Sequence, residues 1–461
     1  MRPRILKSDS PAFRRFLATL IERRSGSGSN VDAVVSAIID EVRRRGDRAL
    51  IEMTERFDRV HLTPARIRVS AAEMEAARAS LAPGDRRALE LAARRIREFH
   101  RRTMEHSFFY RDRLGTRLGQ MVRPIERVGI YVPGGQGAYP STVLMNAIPA
   151  RVAGVSEIVM VSPPSSEGER GVVLAAARIA GVDEFYRVGG AHAVAALAYG
   201  TKSIRAVDKI VGPGNAFVQA AKRMVYGAVD IDKMAGPSEV LIIADDSARP
   251  AWVAADLIAQ AEHGSGDESA LMLTPSAAMA ERVADEVERA LTDLPRAESV
   301  AQVFARRGAM VVVGDLEEAF ELANRIAPEH LELEIKDATR WAGRIRHAGA
   351  AFIGERSPAP LGDYLAGPNH VLPTGGSARF ASPLGAYDFL KRTSVIEASE
   401  RTIHELGPAV ARLARLEGFE AHARAIELRL EVRGANGGPP GLRRKRRRAR
   451  GAGSRKTARS V

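Results

Sequence analysis

From Glu157 onward, apolar runs of strand length alternate with helical stretches. Ile158–Val161 comes first, followed by a helix around Val173–Ala180, the run Phe185–Val188, a helix over Ala193–Tyr199, and Lys209–Val211. This is the rhythm of βαβ units, which build a parallel sheet. It restarts after Gly236 with Val240–Ile243, a helix ending near His263, Leu271–Leu273, Met310–Val313, Leu331–Ile335 and Ala350–Ile353. Two Rossmann-like α/β lobes are expected, with a crevice where the carboxyl ends of their strands meet. Upstream, residues 11 to about 106 have a helical pattern, with Val31, Val34, Val35, Ile38, Ile39 and Val42 on one face. Two further helices, about Arg401–Leu416 and Phe419–Leu430, close the folded part. The expected organisation is an N-terminal helical segment (1–115), a first α/β lobe on the dinucleotide side (116–238), a second α/β lobe (239–380), a C-terminal helical arm (381–433) and a tail (434–461).

The 461 residues are enough for a large core and a cleft between lobes. A net charge of +13 suggests a nucleic-acid partner until it is located along the chain. Ten Lys or Arg and no acid lie beyond Gly434, which leaves +3 on the rest. The run Arg443–Arg448, behind the linker Gly437–Gly441, repels itself and reads as a solvated, disordered extension. It carries charge for counterion release on a polyanion but no aromatic residues to stack bases, so nucleic-acid binding is the weaker reading. Neither a signal peptide nor a membrane-spanning apolar run is evident, and a soluble cytoplasmic protein is expected. There is no cysteine, which removes disulfides, thiolate zinc sites and thiohemiacetal chemistry. An enzyme here that oxidises an aldehyde must first add water to it.

Glycine-rich turns follow three first-lobe elements: Val132–Gly137, Val188–Ala191 and Val211–Asn215. Glycine lets backbone approach a phosphate, and a following helix N-terminus favours the anion. None spells GxGxxG, and a tight strand-to-helix turn needs glycine without any ligand, so the signal lies in their number. In the second half, Gln260 and His263 are three apart at a helix end and share a face. With Asp363 and His422 they offer amide, imidazole and carboxylate donors, the set of a zinc site that keeps room for substrate. An ordinary helix-terminal histidine explains the first pair equally well in isolation. Glu329–His330 sets a carboxylate beside an imidazole after Pro328, which suits proton abstraction and water activation, as well as a simple buried turn.

Gly129–Gly135, Gly212–Asn215, Ala235–Val240, Gln260–His263, Ala327–Leu331, Gly367–Thr374, Lys391–Ser394 and Glu417–His422 resemble, in order and spacing, the motifs of histidinol dehydrogenases, over about residues 5–433. The resemblance implies oxidation of L-histidinol to L-histidine through histidinaldehyde with two NAD⁺, the last step of histidine biosynthesis. Position by position it implies one Zn²⁺ per subunit on Gln260, His263, Asp363 and His422. It places substrate at Ser238, Gln260, His263, His330, Asp363, Glu417 and His422, catalysis at Glu329 and His330, and the dinucleotide at Tyr131, His192 and Asn215. It also implies an interlocked homodimer, in which the segment with Glu417 and His422 completes the partner's site. His370, near Asp363, fits a supporting position.

His192 stands where the family usually has glutamine, which puts that cofactor contact in doubt. Two rival readings remain at this stage: a paralogous zinc- and NAD-dependent dehydrogenase of another small polar alcohol, and a nucleic-acid-associated protein working through residues 443–459.

Overall fold

In the computed structural model, residues 2–22, 29–134, 137–164, 167–234, 236–263 and 266–431 are described. Gly135 and Gln136 of the first glycine-rich turn, and the whole tail 434–461, lie outside them.

The first lobe is a six-stranded sheet. Its order is Arg68–Val69, Glu184–Tyr186, Glu157–Val161, Arg127–Tyr131, Lys209–Val211, Asp230–Ile231. All neighbours run parallel except the edge strand Arg68–Val69, which is antiparallel. Alternate residues of each strand enter opposite cores, which is why these strands read as unbroken apolar runs. Val128, Ile130, Ile158 and Met160 pack on one side with helices Pro140–Ala153 and Glu167–Ala180. Tyr131, Val159, Val161, Tyr186 and Ile210 pack on the other with helices Gly190–Tyr199 and Ala216–Val225.

The second lobe is an all-parallel sheet with the order Ile5–Lys7, Gly308–Val312, Ser269–Thr274, Glu239–Ala244, His330–Glu334, Ala350–Ile353. Val240, Ile242 and Met272 face helices Pro250–Ala261, Ala277–Ala290 and Ala297–Arg307. Leu241, Ile243, Leu331 and Leu333 face helices Pro11–Glu22 and Leu316–Ile326.

The N-terminal segment 1–115 is not a body of its own. Residues up to His106 cluster with both lobes, whereas Ser107–Met121 cluster with the chain from Arg392 on. Ile5–Lys7 is an edge strand of the second sheet, and Phe13, Phe16 and Leu17 fill that lobe's core. Helices Ser29–Arg45 and Asp47–Asp58 pack outside the helices on one side of the first sheet, and Ala71–Ser80 with Pro83–Arg102 pack outside those on the other. They bury the outer faces of the lobe's own helices, and their separate docking sites were invisible in helical periodicity alone. On the Ser29–Arg45 helix, Val35, Ile38, Ile39 and Val42 are buried as expected, while Val34 faces solvent.

The second compact unit, Ser107–Met121 with the chain from Arg392 on, holds most of a three-stranded sheet ordered Leu390–Glu397, Arg117–Pro124, Phe108–Arg111, and the helices Glu400–Leu416 and Glu420–Glu431. Thr402 and Thr116 share a buried hydroxyl hydrogen bond of 2.6 Å within it. Ser399 caps the first helix and also donates to the Leu114 carbonyl.

Leu241 is fully buried mid-sheet, so Leu241→Ala should cost about 2–5 kcal/mol. Urea unfolding checks this; a loss well below about 1 kcal/mol would show a loosely packed second core.

Candidate active site

A right-handed βαβ crossover returns each helix to the edge from which its strand began. The strand Glu239–Ala244 leads to the helix Pro250–Ala261, whose carboxyl end therefore comes back beside Ser238 and Glu239. Gln260 ends up there, buried, and His263 lies exposed just beyond it. The neighbouring strand starts at His330, paired with Val240. Hence the second lobe brings Ser238, Glu239, Gln260, His263, Glu329 and His330 to the amino edge of its sheet. The expectation of two carboxyl edges meeting is corrected here. The first lobe presents its carboxyl edge, with Tyr131 ending one strand and the turn Gly212–Asn215 following another, but the second lobe presents the opposite one.

Glu329 and His330 are 5% and 4% exposed, with Glu329 Oε2 3.7 Å from His330 Nδ1. Strand alternation would separate them, but Glu329 sits just before the strand, and its carboxylate accepts the Glu239 N–H at 2.9 Å. His330 Nδ1 lies 3.0 Å from the Glu239 carbonyl. A carbonyl only accepts, so Nδ1 is the donor and Nε2 is the nitrogen left for chemistry. Nε2 faces Asp363 Oδ1 at 3.5 Å. Burial lifts the Glu329 carboxyl to about 7, partly offset by the neighbouring imidazole. Burial works against a charge on His330, but the Glu329 and Asp363 carboxylates outweigh it and raise the ring to about 9.

Asp363 is carried on the π-helical turn Gly362–Ala366, an element often found at functional sites. Burial would raise its carboxyl, yet the charges of His330, His370 and His263 hold it below the usual range. His370 Nδ1 donates to the Asp363 backbone carbonyl at 2.9 Å, which steadies the turn from behind. Three imidazoles thus surround one carboxylate. Gln260 adds a buried amide nitrogen with no hydrogen-bond partner. The free Gln260 Nε2 donor is ready for an acceptor on a polar ligand, while the Gln260 amide oxygen and the Asp363 carboxylate are oxygen ligands that fit a cation.

Glu417 and His422 belong to the second compact unit, where both are exposed and the His422 ring packs 5.1 Å from that of Phe419. Asn215 caps the helix Ala216–Val225, accepting from the Phe217 and Val218 N–H groups. The Tyr131 hydroxyl is buried and accepts the Gly190 N–H at 3.0 Å. His192 is 1% exposed, tucked against Thr54 and Phe57, and burial pushes it down to about 4. Enclosed there, it has almost no surface to offer a ligand.

Sequence reasoning missed Glu239. Its backbone orients both Glu329 and His330, and its carboxylate accepts the Gly375 N–H. Adjacency to Ser238 was the available signal. It also missed a cluster of Asp256, Glu332 and Glu334, whose carboxylate oxygens lie within 4.8 Å of one another. Burial and mutual repulsion raise Glu332 to about 9 and Glu334 to about 8, so these groups hold protons at neutral pH.

The sequence model of the histidinol dehydrogenase family matches residues 21–430. The chain is 52% identical over 431 residues to a histidinol dehydrogenase of Aromatoleum aromaticum, covering 93% of this chain and 98% of the relative. A Rhizobium meliloti histidinol dehydrogenase is also 52% identical, over 91% of this chain and 97% of its own length. The chain belongs to the histidinol dehydrogenase family. As a member it is an NAD-dependent oxidoreductase. The crystal structure of the histidinol dehydrogenase of Elizabethkingia anophelis superposes with a TM-score of 0.87 at 35% identity, over 93% of this chain and 98% of that one. Among the described residues, no helix is long and apolar enough to cross a membrane.

The folded-state values of Glu332 and Glu334 lie above the unfolded value near 4.5, so the folded state binds more protons and stability falls as pH rises toward about 9. Glu334→Gln should flatten that fall in melting temperature between pH 7 and 9. Parallel slopes for variant and parent would count against proton sharing in the cluster.

Proposed function

We propose that the chain oxidises L-histidinol to L-histidine through histidinaldehyde, reducing two NAD⁺, with one zinc per subunit held by Gln260, His263, Asp363 and His422. The observation that carries this reading is the file of buried Glu329 and His330 with half-buried Asp363, at the edge to which the second lobe brings Gln260 and His263. Zinc, when bound, would supply the positive charge that holds the substrate's imidazole and amine nitrogens.

With Nδ1 of His330 committed to the Glu239 carbonyl, Nε2 is the nitrogen that acts. Because the neighbouring carboxylates raise the ring to about 9, it is the neutral form, favoured in alkaline solution, that takes the hydroxyl proton as the first hydride leaves for the nicotinamide. Glu329, with a carboxyl lifted to about 7, is a stronger base than an ordinary glutamate and accepts a proton as water adds to the aldehyde. Once the first proton has passed from Nε2 to solvent, His330 receives the hydrate's hydroxyl proton as the second hydride leaves to the second NAD⁺. No thiol is required, in keeping with the absence of cysteine. Ser238 lines the same edge beside Glu239.

The proposal includes an interlocked homodimer in which Glu417 and His422 complete the partner's site. Supporting it, these residues belong to a unit separate from the other proposed ligands. That unit also exposes Ile396, Leu413, Leu416, Phe419 and Leu428, apolar surface that a partner would cover. A cytoplasmic setting belongs to the same reading.

Purified protein should yield about two NADH per histidinol and lose activity on chelation, regaining it with zinc; no turnover by a zinc-loaded enzyme would leave the paralogous dehydrogenase of another alcohol. His330→Ala should lower kcat on both histidinol and histidinaldehyde by roughly 10²–10⁴. Glu329→Ala should mainly slow the aldehyde step, and equal losses on the two substrates would refute that division of labour. Mixing inactive His330→Ala and His422→Ala subunits through unfolding and refolding should restore activity, because one site of each mixed dimer then contains neither change. Persistent inactivity of a confirmed mixed dimer would mean that each chain builds its site alone.

A further inference from the structure

The turn Gly212–Asn215 is gripped from inside the first lobe by a buried ion pair. Lys222, on the helix that follows the turn, has a fully buried side chain, and the side chain of its partner Asp232 is 1% exposed. Enclosing both charges is costly unless every donor and acceptor is used. Lys222 Nζ contacts Asp232 Oδ1 and donates to the carbonyls of Gly212 at 2.8 Å and Lys233 at 3.2 Å. Asp232 Oδ2 accepts the Gly212 N–H at 2.9 Å. One pair therefore holds the peptide groups on both sides of the Gly212 Cα.

Gly212 itself has φ +113°, and a Cβ there would lie 2.1 Å from the Tyr131 carbonyl oxygen. The turn is pressed against the strand end that carries Tyr131. Its far end is fixed by the Asn215 cap. From Lys233, whose carbonyl Lys222 holds, the ammonium donates to the Val371 carbonyl at 3.2 Å. Val371 adjoins His370, which donates to Asp363. The pair thus sits in a hydrogen-bonded path between the dinucleotide turn and the Asp363 turn.

We propose that Lys222 and Asp232 are positioning residues for hydride transfer: they set the Gly212–Asn215 turn, and the dinucleotide resting on it, relative to Asp363 and His330. This rests on the reading above that the dinucleotide lies at Tyr131 and Asn215. A pair that only stabilised the lobe would leave cofactor binding untouched when replaced.

The test is the uncharged double variant Lys222→Met with Asp232→Asn, which avoids stranding one buried charge. Amide exchange at Gly212 in the unliganded protein should accelerate. The NADH Kd, read by fluorescence, and the NAD⁺ KM should each rise about tenfold or more, the loss expected for charge-assisted hydrogen bonds. Zinc content and the histidinol KM should stay unchanged. A folded variant with parental Gly212 exchange and parental NADH affinity overturns the proposal. If the parent enzyme neither binds NADH nor oxidises histidinol, the functional reading fails instead, and the exchange measurement still judges the grip on Gly212. Should the double variant not fold, Asp232→Asn alone carries the same readouts, with the same outcomes deciding.

Discussion

The parallel register that sets Val240 beside His330 is the constraint on which the rest of the second lobe depends. It puts the Glu239 peptide next to Glu329 and His330, so one backbone segment supplies both the donor for the carboxylate and the acceptor for the imidazole. The same register sends Leu331 and Leu333 into the core and turns Glu332 and Glu334 to the other face. A slip of one residue would exchange those faces, placing carboxyl groups among the leucines and pulling the imidazole from the crevice. Apolar burial on one face thereby fixes the polar arrangement on the other.

Local chain direction accounts for the asymmetry of the two lobes. In the first, the glycine turns follow strands, as expected for a dinucleotide edge. In the second, the chemically useful residues precede strands or end helices, so the opposite edge is used. The orphaned Gln260 Nε2 donor is costly in isolation, and the Asp363 carboxylate is kept charged by the imidazoles around it. They are sensible where charge and hydrogen-bonding capacity are held ready for a ligand.

Much of this was legible in the sequence. Strand-length apolar runs located both sheets because parallel strands are buried on both faces. The blocks around Glu329 and Asp363 named residues that the fold sets side by side, and the block around Gln260 named a helix end that returns to the same sheet edge. What was not legible depended on distant pairing. Ile5–Lys7 is too short to announce itself as a strand, and only its pairing with Met310–Val312 makes it one. The role of Glu239 follows from register rather than from its own surroundings. His192 looked like a cofactor contact by position, whereas the packing of Thr54 and Phe57 over it came from a helix far upstream. Asp256 gave no signal until the sheet brought Glu332 and Glu334 beneath its helix.

In the proposed mechanism the amino edge of the second sheet holds the metal and the reacting carbon together. Anomalous diffraction at the zinc absorption edge from crystals grown with zinc tests it most directly. A single strong peak is expected at about 2.0–2.2 Å from Asp363 and His263, with Gln260 in the same shell. A peak at Asp256, Glu332 and Glu334 instead, with none near Asp363, would contradict it.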